Sequence, residues 1–124
     1  MWDITSPEDS AYQASLKKHQ GKHPVEFAEA FKRLKELCEL LNSGLPIREA
    51  LSLKWVHQKY RLGMKSLAGG GRKGQATLRL YVFPDQKHQT IVVLGFGDKG
   101  TQDKDVRAAE QTLAEYLAEI MDGE

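Results

Sequence analysis

An α+β fold is predicted here: helices first, then an antiparallel meander of about three strands, then a closing helix. Three observations carry this. Apolar residues recur at helical spacing from Phe27 to Leu41 and again from Val106 to Ile120. Between these stretches, residues 76–83 and 90–96 read as strands, the first alternating and the second apolar on both faces. The connection 84–89 is short, which allows a hairpin but not a crossover to a parallel neighbour.

The elements follow in order. Ser6 is placed to cap a helix, with Pro7 at its first position and Asp9 as capping-box partner. This extra N-terminal helix, about 7–20, ends near Gly21 and has a thin apolar face, mainly Tyr12 and Leu16. Pro24 opens a stronger helix. Phe27, Phe31, Leu34, Cys38 and Leu41 form its stripe, with Leu37 beside it, and Gly44 suits its C-terminal end. Pro46 begins a short turn of helix from Ile47 to about Leu53.

Residues Lys59–Leu67 read as a strand interrupted by Gly63, and Ala68–Gly74 as a flexible basic loop. In 76–83, Leu78, Leu80 and Val82 face one way; Thr77, Arg79, Tyr81 and Phe83 face the other. Pro84 to His88 form the turn. The strand Thr90–Phe96 reads as central and runs out into Gly97-Asp98-Lys99-Gly100. Thr101 caps the last helix, whose stripe is Val106, Ala109, Leu113, Leu117 and Ile120. Asp103 and Asp105 suit its N-terminal dipole. The whole, 1–124, is expected to be one domain.

Composition narrows the function. The formal charge is +1, so no global basic field draws the chain onto nucleic acid, and any such site is a local patch. The one cysteine, Cys38, falls on the apolar stripe and reads as core. No apolar run approaches ~18 residues. The opening Met-Trp-Asp-Ile-Thr-Ser-Pro lacks a basic segment followed by an apolar one, so a cytoplasmic location is expected.

Several motifs fail on context. Gly69-x-Gly71-x-x-Gly74 precedes a strand, where no helix N-terminus can receive a phosphate. Gly95-x-Gly97-x-x-Gly100 does open a helix, but no parallel strand with an acidic residue follows. Its glycines read as aids to close packing. His19 and His23 are split by Gly21, and no Glu follows His19, so the zinc-protease pattern is missing. His88 reads as a solvated turn residue; His57 qualifies as a general base by type alone. No serine sits in a nucleophile elbow.

What remains is a basic constellation: Lys59, Arg61, Lys65, Arg72, Lys73, Arg79 and Lys99. Arg79 stands out because a charge between apolar strand residues needs a partner or a groove. An arginine and a tyrosine on one strand face suit a phosphate and a base.

The order Gln75–Phe83, a short turn, Thr90–Lys99, then Thr-Gln and an Ala-rich helix resembles the toxins of the RelE/HigB superfamily, most of all their phage-derived branch. The lead-in Phe27–Leu53, with Gly-Leu-Pro-Ile-Arg at 44–48, is similar too, so the resemblance spans about Phe27 to Tyr116. It implies a RelE-like domain acting as a ribosome-dependent mRNA endonuclease, neutralised by a small antitoxin, possibly a helix-turn-helix protein. No cofactor is implied: the RNA 2′-hydroxyl attacks the adjacent phosphate and basic side chains meet the developing charge. By position, Arg79 matches the family's central strand arginine and Lys99 the basic residue ending the next strand. Lys65 lies where a basic residue is common on the preceding strand. These three are the expected catalytic set. Tyr81 is expected to stack a base, and Lys59, Arg61, Arg72 and Lys73 to bind the RNA backbone.

Two departures from the family pattern support an alternative, a non-catalytic module of the same fold that binds RNA or a protein. The Leu-x-x-Leu-Arg ending of the preceding strand reads Met64-Lys65-Ser66-Leu67 here, and Ile120–Glu124 supply neither the His nor the Tyr common near the C-terminus of many members.

Overall fold

The computed structural model describes residues 1–6, 10–70, 77–98 and 102–122. Its centre is the expected hairpin. Strands β4 (Thr77–Asp85) and β5 (Thr90–Asp98) pair antiparallel, with Leu80 opposite Phe96 and Arg79 opposite Gly97. The register slips between Tyr81 and Val82, so Tyr81 faces Gly95 while Val82 faces Val93. At the turn, Asp85 Oδ1 accepts the His88 backbone N–H at 3.2 Å, and Gln89 takes a left-handed φ of 50°.

Strand β3 (Lys65–Gly70) pairs antiparallel with β4 on its other side. The expected strand Lys59–Leu67 is therefore displaced. Leu62 and Gly63 have φ of 59° and 79° within a tight 3-10 turn at Arg61–Gly63, and extended pairing starts only after it. The expected loop at Ala68 is strand as far as Gly70; the rest of it, 71–74, lies outside the described residues. Gly69 has a packing role. A Cβ on Gly69 would collide with the Glu26 carbonyl oxygen of the helix crossing it.

The expectation of about three antiparallel strands is corrected to a mixed sheet of five, in the order β1-β5-β4-β3-β2. Strand β1 (Asp3–Thr5) runs parallel to β5, and β2 (Val56–His57) is antiparallel to β3. Neither is long enough to show an alternating pattern in sequence. β1 is held by Trp2, whose N–H donates to Asn42 Oδ1 at 2.6 Å and whose carbonyl accepts from Asn42 Nδ2 at 3.0 Å.

Helices cover both faces of this α+β sheet. Helix α2 (Pro24–Asn42) buries Phe27, Ala30, Leu34, Leu37, Cys38 and Leu41 against Leu67, Leu78, Leu80, Val82 and Phe96. It ends where Gly44 takes φ of 101°, as its sequence predicts. Helix α1 (Ser10–Lys22) lies against β5, with the His19 ring 5.9 Å from that of Phe96. The short α3 (Ile47–Ala50) follows α2. On the opposite face, α4 (Gln102–Asp122) buries Ala109 and Leu113 with Met64, Tyr81, Val92 and Leu94. No helix among the described residues is long and apolar enough to cross a membrane.

Candidate functional site

Alternation along β4 sends Leu78, Leu80 and Val82 to the α2 side and Arg79 and Tyr81 to the α4 side. Register then assembles their neighbours. Arg79 is flanked across the sheet by Ala68 and Gly97; Tyr81 is flanked by Ser66 and Gly95, with His57 opposite Ser66 on β2. Small residues on both sides leave Arg79 uncrowded by the sheet.

The half-buried guanidinium donates from Nη1 to Tyr60 Oη at 3.1 Å, and Tyr60 Oη lies 2.9 Å from Ser66 Oγ. Because that hydroxyl accepts from Arg79, its own proton is available to Ser66. Among the described residues Arg79 has no ion pair with a carboxylate. A half-buried cation with no carboxylate partner among the described residues is set to meet an anion.

His57 joins this cluster. Burial pushes its imidazole pKa down first, and the nearby charges of Arg79 and Lys59 push it further. The ring is thus held neutral at neutral pH and able to accept a proton. Residue type alone hinted at this; its place beside Ser66 depends on the two-residue strand β2.

Tyr81 departs from expectation. It is fully buried, sealed by the Tyr60 ring at 5.6 Å in an edge-on arrangement, so no base can stack on it. Its hydroxyl has no hydrogen-bond partner among the described residues and points toward Gly97 and Asp105. Burial above all, then the charges around Tyr60, Asp105 and Asp103, raise its pKa against the opposing effect of Arg79. The phenol stays neutral. A Cβ on Gly97 would sit 2.9 Å from both the Tyr81 hydroxyl and Asp105 Cβ, so glycine there lets α4 approach the sheet. Gly95, by contrast, has open space above it.

Lys65 is also corrected. It pairs with Val82 and shares the parity of Leu67, which puts it on the opposite side of the sheet from Arg79. It lines a cleft with α3 and the end of β4. Lys59 and Arg61 are exposed and bracket Tyr60, the residue that Arg79 Nη1 donates to. Arg61 shares a groove of about 300 Å³ with Arg107 of α4, a basic residue outside the expected set. Lys99, Arg72 and Lys73 lie outside the described residues.

A second polar cluster was not expected. Asp85, almost fully buried, accepts from the Tyr116 hydroxyl at 2.7 Å and lies 2.8 Å from His88 Nδ1. Burial acts to raise its pKa, but the hydrogen bonds from Tyr116 and His88 outweigh it and hold the carboxyl below its ordinary range. His88 is thus a tethered turn residue, and Tyr116 ties α4 to the hairpin. Near the start of α2, His23 Nε2 lies 3.6 Å from Asp98, whereas His19 Nδ1 lies 2.9 Å from the Ser15 carbonyl. Among the described residues no group of three or more His, Cys, Asp or Glu is arranged to hold a metal ion.

Comparison with family models, with curated proteins and with solved structures yields no match for this chain.

Proposed function

We propose that the α4-side face around Arg79 is the working surface of a toxin-like, ribosome-associated mRNA endonuclease. The observation that carries this is Arg79 itself: mid-strand, half-buried, oriented by Tyr60, and without a carboxylate partner among the described residues. In the proposed reaction the RNA 2′-hydroxyl attacks the adjacent phosphate and no metal takes part. Arg79 meets the negative charge that grows on the phosphoryl oxygens, neutral His57 takes the hydroxyl proton, and the P–O5′ bond breaks to leave a 2′,3′-cyclic phosphate and a 5′-oxygen that takes a proton from solvent. Lys99 remains a second proposed phosphate ligand from the expected set. Lys59 and Arg61 bind flanking backbone, and the proposed partners are translating ribosomes and a small neutralising protein.

A second reading is a non-catalytic module of the same fold that binds RNA or a protein. Two observations favour it: Tyr81 is buried and Lys65 lies on the far face, so the expected constellation is incomplete on the Arg79 side. Expression of wild type, Arg79→Ala and His57→Gln in growing cells, with transcript ends mapped, separates the readings. Slowed growth with new cuts in translated mRNA, lost in Arg79→Ala, supports the endonuclease. Unchanged growth and intact mRNA with wild type sink it and leave the binding module.

A further inference from the structure

Lys65 has no carboxylate partner among the described residues, yet it is half-buried. It lines a cleft of about 370 Å³ between α3, β3 and the end of β4. Arg48 contributes a second cation, and no acidic residue among the described residues lines the cleft. Its apolar wall includes Phe83 and Pro84, and Gln58 and Gln86 also line it. Gln58 spends its Nε2 on the Leu51 carbonyl at 2.7 Å, which fixes the amide and leaves Oε1 as an acceptor.

Two cations, an aromatic ring and positioned amides make a set that matches one ligand chemistry. A phosphate is met by Arg and Lys, a base by an aromatic face, and base edges by amides. The volume falls at the lower end of small-ligand sites, enough for one nucleotide. We propose that this cleft binds a phosphorylated nucleotide, with Lys65 and Arg48 holding the phosphate and Phe83 lying against the base. The cleft lies at the end of the sheet, with Lys65 on the α2 side and Phe83 on the α4 side, and does not depend on cleavage activity. The nucleotide comes either free or as one residue of an RNA strand.

Amide-resolved NMR of the full chain tests this with three probes: 5′-AMP, inorganic phosphate and a single-stranded RNA hexamer. Saturable shifts of the amide signals of residues 47–52, 58, 65, 83, 85 and 86 are expected, with Lys65→Ala and Arg48→Ala each weakening binding about tenfold or more. Lys35→Ala, on the exposed side of α2, should bind as wild type does. Arg48 is exposed, so its variant keeps the test valid should Lys65→Ala fail to fold. A response to 5′-AMP identifies a free nucleotide as sufficient; a response to the hexamer alone identifies a strand. No response in the cleft to either probe, or an equal response to inorganic phosphate alone, overturns the proposal.

Discussion

Arg79 and Tyr81 leave β4 on the same face, two residues apart, and meet different fates. Arg79 stays half-open because Ala68 and Gly97 flank it; Tyr81 is roofed by Tyr60 and the first turns of α4. The Tyr81 hydroxyl is buried with no hydrogen-bond partner among the described residues, which costs about 1–3 kcal/mol. Tyr81→Phe removes that cost while keeping the ring, so denaturant unfolding should show unchanged or higher stability. A loss above about 1 kcal/mol would mean that the hydroxyl makes a hydrogen bond in solution. His57 sets a second expectation. Its folded pKa lies below the ordinary 6.5, so the base is neutral at pH 7 and becomes protonated only under more acidic conditions. Cleavage should therefore be flat near neutrality and fall on the acid side of 6.5, and His57→Gln should remove that acid limb. An acid limb that survives in His57→Gln assigns the base to another group.

Close approach is what fixes the elements in place. α2 crosses β3 at Gly69, where the helix backbone leaves no room for a methyl group. Gly69→Ala should cost about 1–3 kcal/mol or more by overpacking against backbone that cannot yield. Leu34, 1 % exposed in the α2 core, should cost about 2–5 kcal/mol on substitution by alanine. Calorimetry of both variants checks these values; a neutral Gly69→Ala would show that α2 and β3 are not so closely packed. The long elements were legible because each carries a full period: α2 and α4 through their stripes, β4 and β5 through alternation and a short turn. The rest had no such signal. β1 and β2 are three and two residues long and exist only through pairing with a partner distant in sequence. β3 extends into a stretch that reads locally as a loop because one of its glycines, Gly69, is required by the close crossing of α2. The face of Arg79 was readable from period two alone. Its tie to Tyr60, the burial of Tyr81 and the far-side position of Lys65 were not, since each depends on how the 3-10 turn at Arg61–Gly63 ends.

At the scale of the whole molecule, the sheet carries an Arg79 face under α4 and, at its end beside α3, the cleft that holds Lys65. The tether from Asp85 to Tyr116 and His88 holds α4 to the far end of the hairpin. Acid should weaken the fold in two stages. Folding depresses the His57 pKa, so the unfolded chain takes up this proton first and stability begins to fall as pH drops below 6.5. The Asp85 pKa is depressed as well, so its contribution is complete above its ordinary 3.8 and is lost as pH falls through the lower folded value. Asp85→Asn should remove the second stage and leave the first, as followed by unfolding midpoints between pH 3 and pH 7 (a range set by those two ordinary values). A second stage that survives in Asp85→Asn would trace it to another carboxylate.

The central claim is that Arg79 serves internal cleavage of RNA, and the chemistry of the cut ends tests it most directly. Wild-type protein incubated with translating ribosomes and end-labelled mRNA should leave a 2′,3′-cyclic phosphate upstream of each cut and a 5′-hydroxyl downstream. Arg79→Ala should cut about a hundred- to a thousand-fold more slowly, the usual loss when one preorganised donor is removed. Intact mRNA with wild type, ends bearing 5′-phosphate, or an Arg79→Ala variant as fast as wild type would contradict the account.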